Sequence, residues 1–259
     1  MPTRPQTRDR GPFRADQLQD DDRYELSNGH PIYCHPSGRQ HAALTLTGGL
    51  VLETDPDVAW AGVDAGFTTE PGSLRAPDVA VGPAGDESGW ISGVPPLALE
   101  YAGPGQDEAD LKIKITELLA NGTQQIWVVR LIGPRRVEVH RPDAPVRTLG
   151  PGETLTAPGI LRNPVPVEAL YDRSASHRAV LRNLLQREGY ESIQAILEKG
   201  IEQGIDRGIA HSILRLMEGR GLSVDASVRE RVTGCHNAAE LERWLLRAAQ
   251  VRDARQLFD

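Results

Sequence analysis

Two acidic residues and one lysine stand where they could share a metal-assisted reaction. Asp78 follows Pro77 at the start of an apolar run, and Glu100 lies near the end of the apolar run that begins at Pro96. Carboxylates at strand ends can hold a hard divalent cation through oxygen. Lys114 lies in the helical pattern that follows, where it could steady a phosphate or a nucleophilic water. This combination is typical of metal-assisted phosphodiester hydrolysis.

The positions of the two acids also have an explanation without chemistry. An aspartate after a proline is common in turns, and a glutamate at a strand end is usually solvated. If neighbouring strands instead bring Asp78 and Glu100 to one edge of a sheet, their oxygens can converge on one ion. Two carboxylates with backbone and water oxygens suit Mg²⁺ or Mn²⁺ better than zinc. The residues alone leave both readings open.

The lysine is ambiguous in a similar way. The apolar stripe of its helix is formed by Leu111, Ile115, Leu118 and Leu119. At 100° per residue, Lys112 and Lys114 flank this stripe on opposite sides, so helical periodicity does not choose between them. Both could also be flank residues whose aliphatic stems cover apolar surface.

Two further residues are candidates for the same site. His41 follows the polar residues 37–40 and could contact a phosphate or carry a proton, although a surface or capping histidine fits the pattern as well. Glu25, between Tyr24 and Leu26, is either an additional acidic ligand or the polar side of an alternating strand.

The elements that would position these residues fall between residues 23 and 173. We expect strands near residues 24–26, 31–33, 50–53, 77–82, 96–101, 125–132 and 137–140. A helix is predicted over residues 108–120, because Asn121 and Gly122 provide a C-terminal stop. A helix over residues 39–50 is disfavoured by Thr45, Thr47, Gly48 and Gly49. Residues 1–22 are polar, and we expect a disordered or partly helical tail with a short helix near residues 13–19.

Residues 174–259 have a different pattern, which is helical throughout. Helices are predicted at about residues 176–188, 192–218 and 226–232, with a last one starting at Asn237. In the second of these, Gly200, Gly204 and Gly208 recur every four residues, although each glycine costs ~1 kcal/mol relative to alanine. The glycine face suits self-association or partner binding, and it equally suits close packing within the chain or a partly flexible helix.

Charge and composition limit the class of protein. The net charge is −7; residues 1–173 carry 16 basic and 24 acidic residues, and residues 174–259 carry 13 and 12. This argues against a broad basic DNA-binding surface, since lysine and arginine contacts to phosphate dominate such affinity. A nuclease stays compatible if its contacts are local or if a bound metal inverts the charge of the site.

Cys34 and Cys235 are far apart and match no metal-binding spacing, so we expect two free thiols in a reducing compartment. No apolar run approaches the ~20 residues of a membrane span, and the basic N-terminus has no apolar segment behind it. We therefore expect a cytoplasmic protein without membrane association.

The candidate residues occur in an order that resembles a known family. The pattern comprises Tyr24-Glu25-Leu26 with Gly29, His41, Pro77 to Val81, Pro96-Leu97 with Leu99-Glu100, Asp110-Leu111 with Lys114, Gly122, and Trp127-Val128-Val129. It resembles the Uma-two family of restriction endonucleases in the PD-(D/E)xK superfamily over about residues 23–170. This resemblance implies an α/β restriction-endonuclease-like core, in which a mixed central sheet is flanked by helices.

The resemblance also implies roles for single residues. Asp78 and Glu100 would be the metal ligands, and Lys114 would take the lysine role from the helix, because position 102 on the strand is alanine. Glu25 would be an auxiliary acid, and His41 would line the site.

Three positions depart from the family pattern. Leu118 stands where a tyrosine is usual, Arg130 where an aspartate is usual, and Ala102-Gly103 replaces a serine. The C-terminal region, with its glycine repeat and the helix containing Trp244, resembles the tails of Rpn-type transposase-related nucleases. That second resemblance implies an accessory helical module rather than another active site.

The sequence thus predicts a Mg²⁺- or Mn²⁺-dependent endonuclease that hydrolyses DNA, with weak or local DNA binding. The alternative is a catalytically degenerate protein that keeps the fold and acts as a binding or oligomerisation module through its C-terminal helices. In either case, the helix at residues 192–218 is a candidate homo-oligomer contact.

Overall fold

This computed structural model describes residues 11–19, 22–85, 88–105 and 107–259. The chain divides into two compact units, Met1–Gly189 and Tyr190–Asp259. Most of the predicted N-terminal tail, residues 1–10 and 20–21, lies outside the described residues. Its remaining part contains a short 3₁₀ helix at Ala15–Gln17.

The first unit contains twelve strands among its described residues and three α-helices. The strands are β1 (Tyr24–Ser27), β2 (His30–Tyr33), β3 (Trp60–Val63), β4 (Phe67–Thr68), β5 (Val79–Gly82), β6 (Ile91–Ser92), β7 (Leu97–Ala102), β8 (Gln125–Arg130), β9 (Arg136–His140), β10 (Arg147–Leu149), β11 (Thr154–Leu155) and β12 (Val165–Pro166). The helices are α1 (Arg39–Glu53), α2 (Glu108–Ala120) and α3 (Arg173–Arg187), and a 3₁₀ helix spans Val167–Leu170.

Six of these strands form a mixed central sheet in the order β10-β9-β8-β7-β5-β3. The β7–β8 pair is parallel, and the other pairs are antiparallel. One face carries the main core, to which α1 and α3 contribute, and the other face packs against α2. This is the predicted fold class: a mixed α/β core flanked by helices.

Helix α2 begins and ends where the sequence indicates. The Asp107 side chain accepts hydrogen bonds from the amides of Ala109 and Asp110 at 2.8 and 3.1 Å, which caps the first turn. Acidic residues in that turn favour the positive end of the helix dipole. The helix stops at Asn121, and Gly122 follows with a φ of +113°. One face of α2 therefore packs on the sheet at a fixed position along β7 and β8.

Helix α1 corrects the prediction for residues 39–53. The strand expected at residues 50–53 is the last turn of this helix, and Gly48 and Gly49 lie inside it. An added Cβ at Gly48 would overlap the Tyr101 hydroxyl and lie 2.6 Å from a Leu99 methyl group. Close packing of the helix on the sheet therefore offsets the low helix propensity of glycine.

Helix α3 packs within the first unit, although the sequence pattern predicts a C-terminal helical region that begins at residue 174. Arg187 donates hydrogen bonds to the carbonyl oxygens of Glu53, Thr54, Asp55 and Val58, at 2.7 to 2.9 Å. These carbonyls at and just beyond the end of α1 need donors, which α3 supplies.

The hairpin of β1 and β2 positions Glu25. Asn28 and Gly29 have φ values of +49° and +76°, as expected for the predicted two-residue turn. Leu26 exchanges backbone hydrogen bonds with Leu74, and both side chains are buried with Leu18. The hairpin is thereby held against the segment that leads into β5.

The second unit consists of α4 (Ile193–Gly219), α5 (Ala226–Thr233), α6 (Ala238–Ala248) and a 3₁₀ helix at Ala254–Phe258. Its core includes Ile213, Met217, Leu241, Trp244 and Leu257. Over the described part of the chain, no helix combines the length and the apolar character that crossing a bilayer requires.

Candidate active site

Three acidic residues lie in one row across the end of the central sheet. The antiparallel register pairs Val79 with Leu99, so the next position places Asp78 opposite Glu100. On the other side of β5, Val63 pairs with Val79, and the amide of the next residue, Asp64, donates to the carbonyl oxygen of Asp78 at 3.4 Å. Directly opposed residues have Cβ atoms about 4.5–5.5 Å apart on one face. The sheet therefore brings together the two predicted carboxylates and one that the sequence analysis missed.

Lys114 extends from α2 into this row. Its Nζ atom lies 2.9 Å from Oε1 of Glu100, 3.0 Å from Oε1 of Glu25 and 2.7 Å from the carbonyl oxygen of Ala76. Lys112, the alternative from periodicity, is exposed. The geometry therefore chooses Lys114 as the lysine of the candidate site.

Glu25 is held by two cations. Its Oε1 atom accepts from Lys114, and its Oε2 atom accepts from Nη1 of Arg75 at 3.1 Å. Arg75 is buried, and its Nε atom donates to Glu117 at 2.6 Å. Ser27 donates to the other Glu117 oxygen. This network fixes Glu25 beside Lys114, and Arg75 is a second participant that the sequence analysis missed.

Asp78 is fixed by a histidine and by a backbone amide. Nε2 of His41, in the first turn of α1, lies 3.0 Å from Oδ1 of Asp78, and the amide of Tyr101 donates to Oδ2 at 2.6 Å. The hydrogen bond with Asp78 raises the pKa of His41 above its usual value. The predicted residue His41 therefore lies in the site as a contact of Asp78.

Burial and charge shift the protonation of the central groups. Burial raises the pKa of Glu100 to about 8, although the ammonium of Lys114 opposes this shift. Burial alone would lower the pKa of Lys114, but Glu100 and Glu25 outweigh it and raise the pKa, so Lys114 stays cationic. Burial also raises the pKa of Asp64, with a further contribution from the charge of Asp78. Several acidic groups therefore lie close together in a poorly solvated space, where a nearby positive charge stabilises their ionised forms.

The donor set fits a hard divalent cation. Asp78 and Glu100 offer carboxylate oxygens at adjacent strand ends, which is the chemistry that Mg²⁺ and Mn²⁺ prefer. Oε1 of Glu100 is buried and lies 2.9 Å from Nζ of Lys114, whose positive charge offsets the burial of this carboxylate. Among the described residues, no three His, Cys, Asp or Glu side chains already surround a common point as metal ligands would.

The row opens into a broad depression of about 1530 Å³. Its lining includes Tyr33, Arg39, Asp64, Glu100 and Lys114. This volume exceeds the roughly 300–1,000 Å³ of small-molecule pockets. The depression is therefore larger than a typical site for one small molecule.

Two comparisons with known proteins found a match. The model of the Uma2 family, described as "Putative restriction endonuclease", matches residues 13–165. The chain belongs to the Uma2 family. A crystal structure of a putative nuclease belonging to DUF820 from Anabaena variabilis matches with a TM-score of 0.51 and 19% identity. That match covers 63% of this chain and 99% of the other, and it shows a shared fold. No curated protein matches.

The residues at the three positions where the sequence departs from the expected pattern are packed or paired within this fold. Leu118 is buried in the core beneath α2. Arg130 donates to Glu138 at 2.9 Å and to Glu108 at 2.7 Å, so its side chain is held in an ion-pair network. Ala102 is buried in the same core as Leu118. None of the three replaces a residue of the Asp78, Glu100 and Lys114 set.

A local signal for Asp64 was present in the sequence of this Uma2 protein. The residue directly follows the run Trp60–Val63, as an acidic residue at a strand end would, and Ala65-Gly66 continues into a turn. Asp64 has a φ of +52°, a left-handed conformation that aspartate tolerates better than most residues. Arg75 carried no comparable signal, because its role depends on contacts with β1 and α2.

Proposed function

We propose that this Uma2 protein is a metal-dependent nuclease that hydrolyses DNA phosphodiester bonds with Mg²⁺ or Mn²⁺. One observation carries the proposal: Lys114 contacts Glu100, and the strand register sets Glu100 opposite Asp78 at the floor of a wide depression. Two carboxylates and a cationic lysine at one place are the groups that phosphodiester hydrolysis requires.

Asp78 and Glu100 would hold the metal ion, which when bound polarises the scissile phosphate and lowers the pKa of a water molecule. Asp78 is held for this role by the Tyr101 amide and by His41. Glu100 is buried, so its carboxylate gains more from a nearby cation than a solvated carboxylate would.

Lys114 acts in this proposal as a cation and a hydrogen-bond donor. Since Glu25 and Glu100 raise its pKa, it does not serve as a base near neutral pH. Its Nζ atom, kept in place by Glu25 and the Ala76 carbonyl, would orient the attacking water and stabilise charge that develops on the phosphate.

The same proposal includes a local mode of DNA binding. The chain has a net charge of −7, so a broad electrostatic attraction to DNA is not expected. Arg39 and Arg23 line the depression beside the acidic row and could contact phosphates near the scissile bond.

Cys34 and Cys235 are free thiols, which supports a reducing cytoplasmic location.

The test is cleavage of supercoiled plasmid with Mg²⁺ or Mn²⁺ by the native chain and by Glu100→Gln. Asp110→Asn is the matched control, because Asp110 also lines the depression but is exposed on α2. We expect nicking by the native protein and the control, and a loss of at least about 100-fold in Glu100→Gln. Isothermal titration with Mn²⁺ should show weaker binding only in Glu100→Gln.

Folding of each protein is checked by circular dichroism, so that an inactive variant is not confused with an unfolded one. Folded native protein that cleaves no supercoiled, linear or single-stranded DNA with either metal would contradict the proposal. That result would favour the alternative of a catalytically degenerate binding or oligomerisation module.

A further inference from the structure

The first half of α4 contains a four-residue repeat. Residues 197–200, 201–204 and 205–208 each run in the order aliphatic, acidic, basic or glutamine, and glycine. At 100° per residue, the aliphatic and glycine positions lie 60° apart on one face. The acidic position of each repeat flanks this face on one side. The position that carries lysine, glutamine or arginine flanks it on the other side. The helix thus presents an aliphatic–glycine face with an acidic edge and a basic edge.

This face has no partner within the C-terminal unit. Leu197, Ile201 and Ile205 are 54%, 63% and 55% exposed. A Cβ atom built on Gly200, Gly204 or Gly208 would meet nothing within 4 Å. The opposite side of α4 packs in the core of the unit through residues such as Ile213 and Met217. Close packing within this unit therefore does not explain the three glycines.

The acidic edge borders a groove of about 280 Å³. Glu198, Glu202 and Asp206 line it together with Ile201 and Ile205, and Ala238 of α6 also contributes to its lining. Asp206 is only 6% exposed, and its Oδ1 atom has no hydrogen-bond partner among the described residues. A buried carboxylate oxygen without a donor is unfavourable, so the groove suits a cationic side chain carried beside an apolar surface.

We propose that this face binds the same face of a second copy of the chain, with the two α4 helices parallel. A two-fold axis along parallel helices brings the acidic edge of each copy against the basic edge of the other. In an antiparallel pair, acidic would meet acidic and basic would meet basic. The repeat therefore selects the parallel arrangement, and Lys199 and Arg207 are the cations available to the groove of the second copy.

The glycines determine how closely the two helices approach. Ridges formed by residues four apart interdigitate at a crossing angle of about −40° to −50°, and small residues at the crossing allow backbone contact. The middle glycine, Gly204, is the expected crossing point. Aliphatic side chains on both sides of it would then be buried, which supplies the driving force in water.

The first test measures the mass of the full-length chain by sedimentation equilibrium, with Gly204→Leu as the variant. Gly219→Leu is the matched control, because Gly219 is also helical and open but lies beyond the repeat. Both changes replace glycine with a better helix former, so neither should impair folding. We expect dimeric native and control proteins and at least a tenfold weaker dimer in Gly204→Leu.

A monomeric native chain at tens of micromolar, or an unchanged dimer in Gly204→Leu, would overturn the proposal. Orientation is tested with Leu197→Cys in a background in which Cys34 and Cys235 are serine, using a short bismaleimide cross-linker. Parallel helices place the two introduced thiols close together, whereas antiparallel helices crossing at Gly204 separate them by ~21 Å. Cross-linking of Gly204→Cys without cross-linking of Leu197→Cys would overturn the parallel arrangement. Neither readout requires nuclease activity.

Discussion

The ammonium group of Lys114 donates a hydrogen bond to Glu25 over 3.0 Å. This contact distinguishes Glu25 from Asp78 and Glu100, the two acids at the strand ends. The second oxygen of Glu25 is already committed to Arg75. A carboxylate with both oxygens engaged by cations is poorly placed to bind a metal ion. Glu25 is therefore better described as a residue that positions Lys114 than as an auxiliary ligand.

Replacing Glu25 with glutamine should separate these two roles. Glutamine keeps an acceptor but loses the charge that holds Lys114, so we expect a lower kcat, by at least about tenfold, with Mn²⁺ affinity changed less than about twofold. Glu117→Gln is the control, because Glu117 pairs with Arg75 but not with Lys114. It should lower stability by about 1–3 kcal/mol while cleavage persists. Loss of Mn²⁺ binding in Glu25→Gln would instead identify a ligand.

Asp64→Asn should change how strongly metal ions stabilise the protein. Asparagine tolerates the left-handed backbone at this position and removes one of three carboxylates in the row. We expect a higher melting temperature without metal, because repulsion from Asp78 is relieved, and a smaller rise on adding Mn²⁺. Differential scanning calorimetry with and without Mn²⁺ measures both. An unchanged Mn²⁺-induced rise would show that Asp64 takes no part in cation binding.

Adjacent glycines in α1 should respond oppositely to alanine. At Gly48 the new methyl group would collide with Tyr101 and Leu99, so we expect Gly48→Ala to lower the free energy of unfolding by about 1–3 kcal/mol. At Gly49 the nearest atoms are methyl groups of Val63 and Val79, at 3.5 and 3.9 Å. Gly49→Ala should therefore be neutral or stabilising by up to about 1 kcal/mol. Denaturant titration of both variants measures the difference, and equal effects would rule out the close packing of α1.

His140 should make the first unit less stable in acid. Burial lowers the pKa of His140 below its usual 6.5, and its Nε2 atom has no hydrogen-bond partner among the described residues. In the unfolded chain His140 therefore binds a proton at a higher pH than it does in the folded chain. The contribution of neutral His140 to stability is lost as the pH falls below 6.5. His140→Phe should show a smaller loss of unfolding free energy between about pH 8 and pH 5.5 than the native protein. Parallel curves for the two proteins would contradict this assignment.

The sequence predicts correctly those elements whose apolar pattern and end signals indicate the same structure. Helix α2 and strands β5 and β7 have clear apolar patterns and clear ends, so Asp78 and Glu100 could be named as candidates in advance, with Lys112 and Lys114 both possible for the lysine. Helix α1 was missed in part, because Gly48 and Gly49 are unfavourable locally and become favourable only against Tyr101. Tertiary contact here overrides intrinsic propensity.

The remaining features of the site depend on pairings between distant parts of the chain. Asp64 joins the acidic row only through the register of β3 with β5, and Arg75 acquires its role from Glu25 and Glu117. Helical periodicity left Lys112 and Lys114 open, the family resemblance favoured Lys114, and the placement of α2 on the sheet brings Lys114 to Glu100. Neither helical periodicity nor residue spacing contains this information. The resemblance of the C-terminal helices to Rpn-type tails stays a prediction.

The hydrogen bonds of Arg187 to the end of α1 have a consequence for how this protein can be divided. The family match ends at residue 165, yet the guanidinium that serves the carbonyls of Glu53, Thr54, Asp55 and Val58 belongs to α3. A fragment cut at the border of the recognisable motif would leave those carbonyls without their donor and bare the apolar surface that α3 covers. The first compact unit of this chain extends to Gly189, so its structural boundary lies beyond the last residue of the family match.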